Sequence, residues 1–173
     1  MKKVTKRMTL FEMEQVMTVL TEEEQSMLIG GDANSLFHAM ATIGQLYHKQ
    51  MSVETCRSDY EAFVGNDNYL TEGMHFDGAV SYMMTEFNVT KLDSGAIFSG
   101  APVFDFNESN IVFINYDPTN SNDSIIDNVV ILKGYDPETG ICTYFDPVSK
   151  GTYKVTDKKF MDTDFMYKIS YKE

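Results

Sequence analysis

Ser35 heads a run of helix-spaced apolar residues, with His38 three positions later, and this pair is the first place where side chains suggest chemistry. A serine hydroxyl becomes a nucleophile only beside a base that takes its proton. Residues i and i+3 of a helix are neighbours, so His38 is within reach of Ser35. Cys56 and Cys142 lie far apart in the chain, and Cys142 has no basic neighbour to lower its pKa. They are two buried thiols or one disulfide, and the sequence decides neither. The three histidines, His38, His48 and His75, are scattered and form no metal motif. His75 falls in a loop, where a single histidine is more often a surface residue than a catalyst. Asp146-Pro147 closes an apolar run, where the carboxylate either orients a neighbour or ends a strand and begins a turn.

The elements that must position these residues follow from spacing. Leu36, Phe37, Met40, Ile43, Leu46 and Tyr47 form a wide apolar face and predict a helix over Ser35 to Gln50, capped by Asn34 or Ser35. A second helix is expected over Ser52 to Val64, and a third opens at Phe76-Asp77-Gly78 with Asp77 as N-cap. Before them, Thr9 to Glu12 and Thr21 to Glu24 read as capping boxes for two further helices that stop at Gly30-Gly31. Ala96-Ile97-Phe98 reads as a short strand and Ile111 to Tyr116 as a buried one. Val129 to Tyr135 and Ile141 to Phe145 flank Asp136-Pro137-Glu138-Thr139-Gly140 and form a β-hairpin. Its first arm is apolar on both faces, so it belongs inside a sheet covered on both sides. Gly134 marks a close backbone approach and Gly140 a turn; Tyr135, Tyr144 and Tyr153 pack on the sheet. Strands over 151–155 and 165–171, with a turn or short helix at 157–161, complete the pattern. Helices first and strands afterwards give an α+β architecture with the N-terminal helices packed on an antiparallel sheet.

Composition narrows the function classes. A length of 173 residues suits one domain with a real core, and 43% apolar content argues against disorder. The net charge of −12 disfavours nucleic acid and anionic membrane as partners, because both require a basic face. No stretch approaches the ~18–20 apolar residues of a membrane span, so no membrane insertion is expected. Lys2, Lys3, Lys6 and Arg7 have the basic character of a signal peptide, but no apolar core follows them. No cofactor and no metal are expected.

The motif from Asn128 through Val130, Gly134-Tyr135 and Asp146-Pro147, together with Asp32 to Met40, resembles the papain-like cysteine peptidases. The nearest branch is that of the bacteriocin-processing, double-glycine peptidases. The resemblance implies a papain-like fold over residues 32–173 and a triad of nucleophile, base and orienting carboxylate at Ser35, Asn128 and Asp146. The family has Cys and His at the first two of these positions. Such a fold sets its nucleophile at a helix N-terminus, where orphan N–H groups and the dipole stabilise a thiolate and an oxyanion. The base approaches from the sheet, which disfavours His38, and an asparagine amide takes up no proton near neutral pH. Ile29 to Asn34 also lacks the glutamine expected beside the oxyanion.

Met17, Leu20 and Leu28 before Gly30-Gly31 resemble a double-glycine leader, with Gln25 where an apolar residue is usual. Residues 1–31 are thus expected to form a helical leader-like segment, cut after Gly31 by a peptidase-containing exporter. The expected function is that of an inactive peptidase-like protein that binds a peptide or protein partner, cytoplasmic or exported through the leader. Two alternatives are a divergent hydrolase or acyltransferase using Ser35, and a secreted precursor cleaved after Gly31.

Overall fold

A computed structural model describes residues 34–98, 111–115, 126, 128–161 and 166–173. The N-terminal segment 1–31, with Gly30 and Gly31, lies outside the described residues. The chain opens with α1 (Asn34–Leu46), α2 (Val53–Val64), the short α3 (Tyr69–Glu72) and α4 (Phe76–Glu86). Then come β1 (Phe87–Lys91), α5 (Ser94–Phe98), β2 (Ile111–Asn115), β3 (Val129–Asp136), β4 (Ile141–Asp146), β5 (Gly151–Thr156), α6 (Lys158–Met161) and β6 (Met166–Tyr171).

The strands form one six-stranded antiparallel sheet in the order β1-β6-β2-β3-β4-β5. This is an α+β fold, and β3 is an interior strand with both faces buried. Val129 and Ile131 join α1, α2 and α4 in one core, with Phe37, Met40, Ile43, Phe145 and Ile169. Val130 and Leu132 point the other way, into a second core with Cys142, Tyr144, Phe160 and Met166 beneath α5 and α6. Each large apolar side chain so buried contributes about 1.5–3 kcal/mol.

A chain of aromatic rings fastens the helices to one another. Phe37 of α1 meets Tyr60 of α2 at 5.6 Å, and Tyr60 meets Tyr69 and Tyr82 at 5.4 Å each. The Tyr82 hydroxyl donates 2.9 Å to the Cys56 carbonyl, which satisfies its polar end inside the core.

Several details differ from the sequence expectations. α1 stops at Leu46, because His48 takes a left-handed φ of 58° and Lys49 N–H closes back on the Gly44 carbonyl at 2.8 Å. Ala96-Ile97-Phe98 is helical, the last part of α5, whose Asp93 carboxylate accepts from the Gly95 N–H at 2.9 Å. At α4, His75 holds the extended N-cap position and Asp77 lies in the first turn, where its charge complements the helix dipole. Gly134 approaches no backbone: the space where its Cβ would point is open. It follows a register shift between Leu132 and Gly134, a bulge that returns Tyr135 to the same face as Leu132. Gly140 does serve a turn, at φ +64°.

Candidate functional site

α1 begins with Asn34-Ser35, and its first turn carries no acidic residue. Ser35 is 1% exposed, and its Oγ accepts a 3.1 Å hydrogen bond from the Val129 N–H at the start of β3. The bond satisfies a backbone donor that burial would otherwise strand. Asn128, half-buried, immediately precedes Val129, so the N-terminus of α1 and the entry to β3 meet at Ser35.

Asp146 closes β4. Because Ile131 pairs with Phe145, Asp146 lies at the same end of the sheet as Asn128 and Val129. Its side chain is 7% exposed, and Oδ1 accepts from the N–H groups of Val148 at 2.8 Å and Ser149 at 3.4 Å. That carboxylate closes the turn Pro147-Val148-Ser149-Lys150, which ends in a left-handed Lys150 at φ 59°. Asn128 and Asp146 therefore lie at the end of the sheet where Ser35 meets Val129. Ser35 and Asn128 offer no proton acceptor at neutral pH, and the Asp146 carboxylate accepts hydrogen bonds from its own turn.

His38 is half-buried one turn further along α1, and its carbonyl accepts from Thr42 Oγ1 at 2.8 Å. Its charge is felt at Glu54, at the start of α2. That carboxyl is held below its usual range by hydrogen bonds from its own backbone and Ser52, and then by Arg57 and His38. His75 is exposed, and its carbonyl accepts from the Ala79 N–H at 3.1 Å. Both cysteines are free thiols, buried in the two different cores, so no disulfide joins them. Burial pushes Cys56 up to about 11, helped by the charges of Asp59 and Glu86; burial and Asp157 push Cys142 up to about 12. Thiols so raised are poor nucleophiles. Tyr135, Tyr144 and Tyr153 pack on the sheet: Tyr144 and Tyr153 meet at 5.5 Å, and Tyr135 donates to Asp157 at 3.0 Å.

One residue near the site went unnoticed in the sequence. Arg57 of α2 donates 2.6 Å to Asn34 Oδ1, while its Nε is buried without a hydrogen-bond partner. The one available signal was its sign, a single cation among Glu54, Asp59 and Glu61. Among the described residues, no three His, Cys, Asp or Glu side chains are grouped to hold a metal, and no helix is long and apolar enough to cross a membrane. The chain matches no protein-family model and no curated protein.

Proposed function

We propose that this chain is a papain-like protein without peptidase chemistry, which uses its fold to bind a peptide or protein partner. The observation that carries this reading is the hydrogen bond between Ser35 Oγ and the Val129 N–H. It brings the helix residue expected at the nucleophile position against the strand entry expected to carry the base. The order of elements supports the same reading, with a helix packed across an antiparallel sheet and its N-terminus at the start of an interior strand. The chemistry at that junction supports loss of activity. Ser35 is sealed from solvent and engaged as an acceptor, Asn128 takes no proton, and Asp146 is committed to its turn.

The direct test is turnover. The full chain, incubated with a fluorogenic peptide library, is expected to hydrolyse no peptide above background and to take up no serine-reactive phosphonate. Hydrolysis by the wild-type chain that disappears in Ser35→Ala would overturn the reading in favour of a divergent hydrolase. We also propose export through a leader, a reading that rests on Gly30-Gly31 and on Met17, Leu20 and Leu28 before them. Intact-mass measurement of protein recovered from the culture medium tests it, and a secreted chain still carrying residues 1–31 would end it.

A further inference from the structure

β5 ends the sheet on its side and, among the described strands, is hydrogen-bonded to β4 alone. The Asp157 N–H donates to the Gly140 carbonyl at 2.7 Å, in the same register that pairs Ile141 with Thr156. Backbone groups alternate in direction along an antiparallel strand. Tyr153 and Val155 therefore turn theirs to β4, while Lys154 and Thr156 turn their N–H and C=O groups to the outer side. The side chains of Lys154 and Thr156 are exposed. Those of Tyr153 and Val155, on the opposite face, are half-buried against the core of Tyr144 and Phe160. The strand has no proline, and its pairing with β4 has no bulge. It has the form of an edge that accepts another strand.

Charge selects the strand. Lys150, Lys154 and Lys158 stand exposed just before, within and just after β5, in a chain of net charge −12. Among the described residues none of the three is in an ion pair. The charge of Lys154 is felt at Asp136, but the Asp136 oxygens accept from the Glu138 N–H and Thr139 Oγ1 of their own turn, and Asp157 accepts from Tyr135. A second copy is a poor occupant. A twofold edge pair centred on Lys154 sets Lys154 against Lys154 and Lys150 beside Lys158, and like charges directly opposite destabilise a sheet. We propose that β5 binds an extended acidic peptide segment of another protein, which adds as an outer strand across Lys154 and Thr156. The peptide residue directly opposite Lys154 shares its face and is acidic. The alternate residues lie beside Tyr153 and Val155 and are apolar. The proposal rests on the partner-binding part of the proposed function and not on whether Ser35 is catalytic.

The test titrates the full chain, isotope-labelled for NMR, with an end-blocked peptide of alternating glutamate and valine. Saturable binding is expected, with exchange of the Lys154 and Thr156 amides slowed about tenfold or more and that of the β1 amides unchanged. Two changes separate strand pairing from attraction of charge. N-methylation of the glutamate amides, which face β5 in this pairing, keeps the charge of the peptide and removes its donors. Thr156→Pro keeps all three lysines and removes one outward N–H, which an edge strand tolerates; each change should weaken binding about tenfold or more. Lys154→Glu should weaken it as well, and lysine in place of glutamate in the peptide should abolish it. Slow exchange of the β3 amides verifies that each variant is folded. Equal binding of the N-methylated peptide, slowed exchange in β1 or the helices instead of β5, self-association through β5 without peptide, or no binding at millimolar peptide overturns the proposal. Peptide turnover by the wild-type chain would change the reading of Ser35 and leave the β5 result as it stands.

Discussion

At the scale of single residues, the Ser35 hydroxyl does structural work that alanine cannot do. Ser35→Ala leaves the Val129 N–H buried without an acceptor, and the expected loss is about 1–3 kcal/mol by denaturant unfolding. A change below about 0.5 kcal/mol, the size typical of a surface substitution, would show that the bond is dispensable. The two thiols give a second residue-scale prediction. Cys56 and Cys142, free and shielded by two different cores, should stay unlabelled by an aromatic disulfide reagent at pH 8 and react fully only after unfolding. Labelling of the native chain within seconds would contradict their burial.

At the scale of elements, the end of α1 decides how the helical layer meets the sheet. Gly44 sits where an added Cβ would come within 2.5 Å of Met51 Sδ and 3.0 Å of Met51 Cβ. Gly44→Ala should therefore destabilise by about 1–3 kcal/mol through overpacking, despite the gain of about 1 kcal/mol in helix propensity. His48, left-handed at φ 58°, bears a penalty that glycine lacks. His48→Gly should raise stability by about 0.5–1 kcal/mol, the balance of relieved strain against lost chain stiffness, readable as a higher melting temperature.

The same elements show what the sequence could and could not reveal. The β3–β4 hairpin is legible because two apolar runs flank a turn with Pro137 and Gly140, and α2 because Val53, Cys56, Tyr60 and Phe63 recur at helical spacing; the structure adds Ser52 as its N-cap, accepting from the Thr55 N–H at 3.0 Å. α5 reads as a strand in the sequence because three apolar residues in a row have no periodicity to tell helix from strand. β1 is hidden in the sequence because α4 runs straight into it, and Phe87 continues the apolar spacing of Val80, Met83 and Met84 in the helix. Ser35 could be placed at a helix start from its neighbours. Its partner Val129 lies 94 residues away, and no local signal encodes a contact of that separation.

At the scale of the molecule, the protonation of buried groups sets a working range. Cys56, Cys142 and Tyr69 are raised to about 11, 12 and 12, and burial also raises Tyr60 and Tyr82. A group raised in the fold holds its proton more tightly there than in the unfolded chain. Its contribution is complete below the unfolded value, near 9 for the thiols and 10 for the phenols, and fades as pH climbs through the folded value. Melting temperature should therefore fall steadily from about pH 9 to pH 12. A flat profile over that window would mean that these groups ionise freely in the native state.

The position of β6 has a consequence for how the protein is made. It is the last strand in chain order, yet it lies between β1 and β2 in the sheet. Until it leaves the ribosome, β1 lacks its neighbour among the described strands and the edge of β2 that β6 covers is bare, although the helices can already have collapsed. The nascent chain thus waits with two open strand edges, the form most prone to pair with another molecule. Arrest of synthesis just short of Met166 should leave a chain that associates with chaperones, and release of the next six residues should close the sheet in one step.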